Sequence, residues 1–393
     1  MTTVEDVITK ETQQAAHVLE EEARKIDREG CFPVEGVAVL RSSKLMGLLV
    51  PQELGGLGGG YSAALEVAQV LGGSCLSTAM VWAMHCQQVA VLVDHASEPL
   101  RTEVLRQVAL NGLLIASVTS EPTKGGHLLT AVAPLYSKDE HFIVEREAPV
   151  VTSGSHADAF LITMRRSETA TPTDIVLVYA GRDELKTVIR SDWDTLGVRG
   201  TASVAMRLSG QLPSLGRTID PPGGFRRVAV TTMIPAGHLM WTACWLGAAK
   251  EAYRQTMRVL RNPSLRVGYP LKSDLYVEHI ARVRMDIDLV EAMLQRVAGE
   301  YLVKRQAFGT EQVSYEDYAF NIHLNELKIA AAEKLFSAVD QTMQLLGLRY
   351  GYRIQKETSI ERIFRDLRSA RLMFTDDRLL VSNGKLALLD TSI

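Results

Sequence analysis

The chain has 393 residues, enough for more than one packed core. Its composition is 46% hydrophobic and 23% charged, which is ordinary for a globular protein, and a net charge of −3 gives no electrostatic case for a nucleic-acid surface. Cys31, Cys75, Cys86 and Cys244 show no metal-ligand spacing, and the apolar surroundings of Cys75 and Cys86 read as buried free thiols. The start MTTVEDVITKETQQ has no basic-then-apolar leader, and apolar runs such as Ala236–Ala249 are too short and interrupted for a bilayer. The expectation is a reduced, cytoplasmic protein with no membrane role and no metal.

In chain order, apolar positions at helical spacing predict an amphipathic helix over Val4–Arg28 and another over Gly36–Met46. The Pro- and Gly-punctuated segment MGLLVPQELGGLGGG reads as a loop. Helices follow over Tyr61–Leu71, Leu76–Asp94 and Glu98–Leu110. The texture then changes to short apolar runs (LLIASVT, HFIVER, FLITMR, DIVLVYA, VAMRLSG) separated by turn residues, the pattern of an antiparallel barrel or sandwich. Pro221-Pro222-Gly223-Gly224 closes this region like a linker. Helical periodicity returns over Trp241–Leu260, Leu275–Phe308 and Tyr315–Leu346, with a final helical tail after Gly347–Gly351. The predicted architecture is α+β. An N-terminal helical domain spans 1–115, a middle antiparallel β-barrel domain 116–222 and a C-terminal helical bundle 223–393.

Several strings in this order resemble the acyl-CoA dehydrogenase superfamily. GLLVPQELGGLGGG is similar to its loop before the central N-terminal helices, and Ser120-Glu121-Pro122-Thr123-Lys124-Gly125-Gly126 to its TEPxxGS loop. Thr152-Ser153-Gly154 with Ala157-Asp158 resembles WITNGxxAD, and Asp194–Thr201 (DTLGVRGT) matches a third string. Gln344–Tyr352 and Glu361–Asp366 resemble QxxGGxGY and the ERxxRD helix. The resemblance implies a homotetramer or homodimer of three-domain subunits, with FAD between the β domain and the C-terminal bundle. It also implies an acyl thioester, on CoA or an acyl carrier protein, as substrate, and electron-transfer flavoprotein as partner.

It further implies site residues. Thr119, Ser120, Thr152 and Ser153 would lie along the flavin ring, while Arg266 would stand in for the arginine of a reduced RxxFG motif. Gln344 and Gly347 would approach the ADP half of a neighbouring subunit's FAD. Gly126 and His127 would face the substrate. Val150 replaces the aromatic residue that covers the ring, and Leu348 replaces a glycine of close backbone approach.

The sharpest departure concerns the base. The family removes an α-proton with a glutamate, usually about nine residues beyond the arginine of Arg365-Asp366, and Phe374 holds that place. Some members carry the glutamate on the helix after the β domain, where Thr231–Leu246 has no acid either. Asp376 and Asp377 read as an exposed pair beside Arg378, with Asp376 the choice if one acts as a substitute base.

His85 reads as a core histidine or, with Ser153, as a candidate for steering oxygen chemistry. His238 has no assigned role, and the Trp241/Trp245 pair reads as core. Basic clusters at Arg258–Lys272 and Arg362–Arg371 read as solvated faces or as contacts to phosphates of a carrier or cofactor.

Three functions follow. The first is a flavin-dependent acyl thioester dehydrogenase of specialised metabolism with a non-standard base. The second is a two-component monooxygenase using reduced FAD or FMN from a separate flavin reductase. The third is a non-catalytic member without flavin.

Overall fold

The computed structural model describes residues 3–123, 127–306 and 317–391. The expectations on Lys124, Gly125 and Gly126, and those on Phe308 and Tyr315 as helix ends, lie outside the described residues.

Five helices come first: α1 (Val4–Glu29), α2 (Val34–Ser42), α3 (Gly60–Ser74), α4 (Leu76–His95) and α5 (Leu100–Asn111). Helix α1 starts where the Thr3 hydroxyl accepts from the Asp6 N–H and the Asp6 carboxylate answers the Thr3 N–H, a reciprocal cap. It stops at Gly30, whose φ of 63° suits a residue without Cβ. Its buried stripe (Ile8, Ala15, Leu19, Ala23, Ile26) recurs at helical spacing, so one face packs inward. Helix α4 behaves differently. It is apolar all round and long enough to cross a membrane by composition, but 89% of its apolar window is buried inside the protein. It is the central helix of the core.

The strands follow: β1 (Ile115–Val118), β2 (Tyr136–Lys138), β3 (His141–Val151), β4 (Ala159–Arg165), β5 (Ile175–Gly181), β6 (Lys186–Ile189), β7 (Val204–Pro213) and β8 (Thr218–Ile219). They form two four-stranded sheets, β1-β4-β5-β8 and β2-β3-β7-β6. The sheets share an apolar core, with Val144 and Met206 on one side and Phe160, Ile162 and Val178 on the other. The first sheet is covered on its far face too, where Leu161, Leu177 and Ile219 meet Val89 and Leu92 of α4. Burial on both faces explains why β4 and β5 read as continuous apolar runs while β3 and β7 alternate. The arrangement corrects a closed antiparallel barrel in one respect. Strand β1 pairs with β4 in parallel, Ile115 opposite Ala159, because the chain enters from the helical domain and must run alongside β4.

Six helices complete the chain: α6 (Gly224–Val228), α7 (Ile234–Arg261), α8 (Asp274–Gln306), α9 (Tyr318–Gly347), α10 (Ile360–Leu367) and α11 (Asp376–Ala387). A π-helical turn, Ala229–Met233, joins α6 to α7. The α3–α7 crossing is so close that a Cβ on Gly247 would lie 1.9 Å from the Gln69 carbonyl oxygen. Only glycine allows that contact.

Two of the strings read from the sequence meet in space. A Cβ on Gly197 would sit 2.1 Å from the Arg365 carbonyl oxygen, and the Val198 N–H donates to Asp366 Oδ1 at 2.6 Å. Arg365 forms a two-pronged pair with Asp27 at 2.6 and 2.7 Å, tying α10 to α1. The loop from β6 to β7 is thus locked onto the C-terminal bundle, and the cavity described next opens at that junction.

Candidate functional site

A cavity of about 520 Å³ lies where α4, the end of β1, the β3 end, α7 and the turn before α11 converge. Most of its wall is apolar. Met80 and Met84 come from α4, Met233, Ile234 and Trp241 from the start of α7, and Leu372, Met373, Phe374 and Leu379 from the C-terminal turn.

The sheet side carries hydroxyls. The β3–β7 register shifts between Ala148 and Val151, at Pro149, which has no N–H to continue the ladder. That irregularity brings both Val150 and Thr152 to the cavity. Ser120 Oγ donates to the Val150 carbonyl at 2.8 Å and accepts from its N–H at 3.3 Å, so this hydroxyl pins the strand. Thr119 Oγ1 has no hydrogen-bond partner among the described residues and remains free for a ligand.

Thr152, Ser203 and Thr201 form a chain with spacings of 3.0 and 2.8 Å, ending at 3.0 Å on the Val198 carbonyl. A carbonyl only accepts, so Thr201 donates to Val198, Ser203 donates to Thr201 and Thr152 donates to Ser203. The Thr152 hydroxyl therefore presents lone pairs, not its proton, towards the cavity. Beneath it the Glu121 carboxylate accepts from the N–H groups of Val132 and Ala133, at 2.9 Å each, and pairs with buried Arg146 at 2.7 Å. These contacts fix Glu121, next to Ser120, against the backbone at Val132 and Ala133.

The helical side is organised around Phe374. This residue has a φ of 46°, a left-handed conformation that costs an aromatic residue roughly 1–2 kcal/mol. Lys328 of α9, fully buried, holds it there: Nζ donates to the Phe374 carbonyl at 3.0 Å and to Asp376 Oδ1 at 2.6 Å. Asp376 Oδ2 receives Arg371 at 3.3 Å. Burial pushes the Lys328 ammonium down while Asp376 raises it again.

The Phe374 ring meets His238 edge-on at 5.5 Å and Trp241 at 5.9 Å. His238 is 1% exposed, lines the cavity, and neither ring nitrogen makes a hydrogen bond of normal geometry, the Leu324 carbonyl being the one polar backbone group that acts on it. Burial, helped by the Lys328 cation, pushes the imidazole down to about 3, against which the Leu324 carbonyl acts weakly. It is neutral at physiological pH, one nitrogen a donor and the other an acceptor. Each unsatisfied buried atom costs about 1–3 kcal/mol. Trp241 Nε1 is likewise buried and makes no hydrogen bond of normal geometry. By contrast, Gln87 is fully engaged, donating to the Met233 carbonyl at 2.6 Å and accepting from Gln88 at 3.0 Å.

The π-turn above Met233 is clamped from its other side. Arg305 grips Asp94 at 2.6 and 2.8 Å, Thr232 donates to Asp94, and the Tyr301 hydroxyl donates to the Thr231 carbonyl at 2.9 Å.

The residues singled out in the sequence fall into three groups. Thr119, Ser120, Thr152 and Phe374 come together on the cavity. Ser153 and His85 lie behind it. Ser153 is buried at φ 61°, its N–H bonded to the Thr201 carbonyl. His85 has both nitrogens occupied, Nε2 with the Met46 carbonyl at 3.0 Å and Nδ1 accepting the Ile115 N–H at 3.1 Å. Burial lowers it to about 4, and it staples α4 to the start of β1.

The third group, Arg266, His127, Gln344 and Gly347, is exposed and apart from the cavity, with Gln344 bonded to Asp340 at 2.7 Å. Gly126 is outside the described residues. One reading is corrected. Asp376 is not half of an exposed pair: it is 5% exposed and bound to Lys328, and only Asp377 faces solvent. The cost of taking this carboxylate out of water is offset by its contacts with the Lys328 ammonium and the Arg371 guanidinium, which the local sequence does not reveal.

Sequence reasoning missed His238, Lys328 and the cavity role of Trp241. The spacing of His238 and Trp241, three apart on one helix, was the available signal. Lys328 sits amid Leu324, Leu327, Ala331 and Leu335, all buried, so its burial was readable from the periodicity of α9.

Helices, a two-sheet middle domain and a helical bundle meet at this cavity. Family models described as the acyl-CoA dehydrogenase N-terminal domain and the acyl-CoA dehydrogenase C-terminal domain match residues 5–111 and 223–374. The chain belongs to the acyl-CoA dehydrogenase superfamily.

Among its relatives, the probable acyl-CoA dehydrogenase YngJ of Bacillus subtilis (strain 168) is 25% identical over 386 residues, covering 93% of this chain and 94% of that protein. Butyryl-CoA dehydrogenase from Megasphaera elsdenii superposes with a TM-score of 0.84 at 17% identity, covering 99% of each chain. FMN-bound TdsC from Paenibacillus sp. A11-2, a dibenzothiophene monooxygenase, superposes with a TM-score of 0.83 at 18% identity, covering 98% of this chain and 97% of that one.

Proposed function

We propose that this protein is a flavin-dependent oxidoreductase that works with reduced flavin as a monooxygenase. The observation that carries the reading is that, among the described residues, none lining the cavity is a carboxylate, and Phe374 fills the expected position of the base. Phenylalanine cannot accept a proton. The nearest candidate, Asp376, has its oxygens taken by Lys328 and Arg371 and does not line the cavity.

The residues on the sheet side suit a flavin ring. Thr119 offers a free hydroxyl, and Thr152 offers lone pairs fixed by the Ser203–Thr201–Val198 chain. Lone pairs complement a ring N–H, which the reduced flavin carries at N5 and the oxidised flavin lacks. When bound, FAD or FMN would supply redox chemistry and oxygen activation. The chain's own residues orient the ring with the hydroxyl bracket, and they exclude water with Met80, Met84, Leu372 and Leu379. A separate flavin reductase would supply the reduced cofactor.

A second reading, an acyl thioester dehydrogenase, is favoured by Arg378. This exposed guanidinium at the cavity wall has no ion-pair partner among the described residues, and it could meet a phosphate of CoA or of a carrier protein. An electron-transfer flavoprotein would then be the partner, and an unusually acidic α-proton would have to replace the base. The oligomer, a homotetramer or homodimer, and the cytoplasmic setting belong to the same proposal.

The test is the purified protein's behaviour with flavin. Oxygen consumption only with added reduced FAD or FMN, at a Kd for reduced flavin about tenfold below that for oxidised flavin, is expected. A yellow protein with stoichiometric FAD, bleached anaerobically by an acyl thioester, would establish the second reading instead.

A further inference from the structure

We infer that the inner end of the cavity recognises a neutral hydrogen-bonding group of the substrate, a hydroxyl or carbonyl on an otherwise apolar body, through His238. Exposure defines the two ends. Leu372, Thr375 and Arg378 are exposed at the outer end, whereas His238 and Trp241 are 1% and 4% exposed. Neither imidazole nitrogen nor Trp241 Nε1 makes a hydrogen bond of normal geometry, and the Leu324 carbonyl, near one side of the ring, can engage one imidazole nitrogen at most. A structural histidine in this same chain looks different: His85 has each nitrogen bonded to backbone at 3.0 and 3.1 Å.

Buried polar atoms in native proteins are almost always satisfied, so an imidazole left open against a cavity is built for what the cavity receives. Charge narrows the class. Among the described residues the cation that acts on His238, Lys328, is spent on Asp376 and the Phe374 carbonyl. An anion at the inner end would lose its hydration without gaining a counter-ion, and any anionic part of a substrate belongs outside, beside Arg378. Phe374, edge-on to the imidazole, and Trp241, tilted against it, supply apolar ring surface beside the polar contact. Phe374 thereby acquires a positive role, as packing for a substrate ring, in the place of a base.

This inference deepens the monooxygenase reading and rests on it for the reaction, but binding can be measured separately. Toluene, p-cresol and p-toluate are three probes of one shape with no polar group, a neutral hydroxyl and a carboxylate. Their Kd values are measured by equilibrium dialysis against the full chain, with saturating oxidised flavin.

The ratio of the toluene Kd to the p-cresol Kd is expected to fall about tenfold in His238→Leu and to recover in part in His238→Asn. p-Toluate is expected to bind more weakly than p-cresol throughout. An unchanged ratio in His238→Leu, or p-toluate as the tightest probe, would overturn the inference. Should the leucine variant not fold, His238→Phe reads the same ratio. Loss of flavin binding by the wild-type chain with the p-cresol preference intact would defeat the functional proposal and leave this one standing.

Discussion

The two walls of the cavity solve opposite problems. On the sheet side the hydroxyls of Ser120, Thr152, Ser203 and Thr201 are tied into a directed chain or a strand pin, ending on backbone carbonyls. On the helical side His238 and Trp241 present buried polar atoms that make no hydrogen bond of normal geometry. A satisfied wall is rigid and presents one fixed pattern of lone pairs, which suits a cofactor common to many reactions. An unsatisfied wall pays a standing penalty that only a ligand removes, which suits selection of one substrate.

The comparison can be broken most severely beneath the helical wall. Asp376→Leu strands the Lys328 ammonium in the core and is expected to lower stability by about 3–5 kcal/mol, read as the shift in thermal midpoint. The double variant Lys328→Met, Asp376→Leu should recover most of that loss. A single variant that melts like wild type would show that the pair does not hold the turn.

Acid should strain both walls together. His85 under β1 and His238 on α7 have folded pKa values of about 4 and about 3, below the unfolded value of 6.5, because burial opposes their charge. The unfolded chain then binds more protons below pH 6.5, so stability falls as pH drops from 6.5 towards 4. The loss is about 2 kcal/mol per histidine at pH 5. Asp366, raised to about 6 by burial, acts the other way, gaining stability as pH falls through 6. Two histidines outweigh one aspartate, so the melting temperature should drop between pH 7 and 5. His238→Leu should flatten that slope, and a melting curve indifferent to pH would refute the account.

At neutral pH the same two walls should respond with opposite signs. Thr152→Val removes the first donor of a satisfied chain and is expected to cost about 1 kcal/mol, with weaker binding of reduced flavin. His238→Leu replaces unsatisfied atoms with apolar volume and is expected to raise stability by about 1 kcal/mol, leaving flavin affinity within threefold. Both are read by denaturant titration and flavin titration, and equal signs would erase the distinction. The smallest effect belongs to Ser120→Ala. Freeing Val150 should cost about 0.5–1.5 kcal/mol and lower flavin affinity only modestly.

Much of the frame was legible. The helical periods of α1, α4 and α7–α9 and the short apolar runs of β1, β3, β4, β5 and β7 all lie where the pattern placed them. The strands β2, β6 and β8 were not legible, because they are two to four residues long and carry little apolar pattern. The parallel β1–β4 pairing was hidden because a strand buried on both faces has no alternation to reveal its direction. At the site, Thr119, Ser120, Thr152 and Phe374 were found through local strings. His238 and Lys328 belong to no string, and their decisive contacts are distant in the chain: Phe374 and Asp376 lie 46 and 48 residues from Lys328, and Phe374 lies 136 from His238.

The sequence by itself determined the order of domains and the absence of a carboxylate at Phe374, because periodicity and residue identity are local properties. The tertiary structure alone decided that Asp376 is buried against Lys328, that Thr152 presents lone pairs, and that His238 stands open at the inner end of the cavity. Those facts depend on which groups from distant elements come within 3 Å of each other, or fail to. Hydrogen-bond direction and desolvation are properties of assembled neighbours, and no single segment contains them.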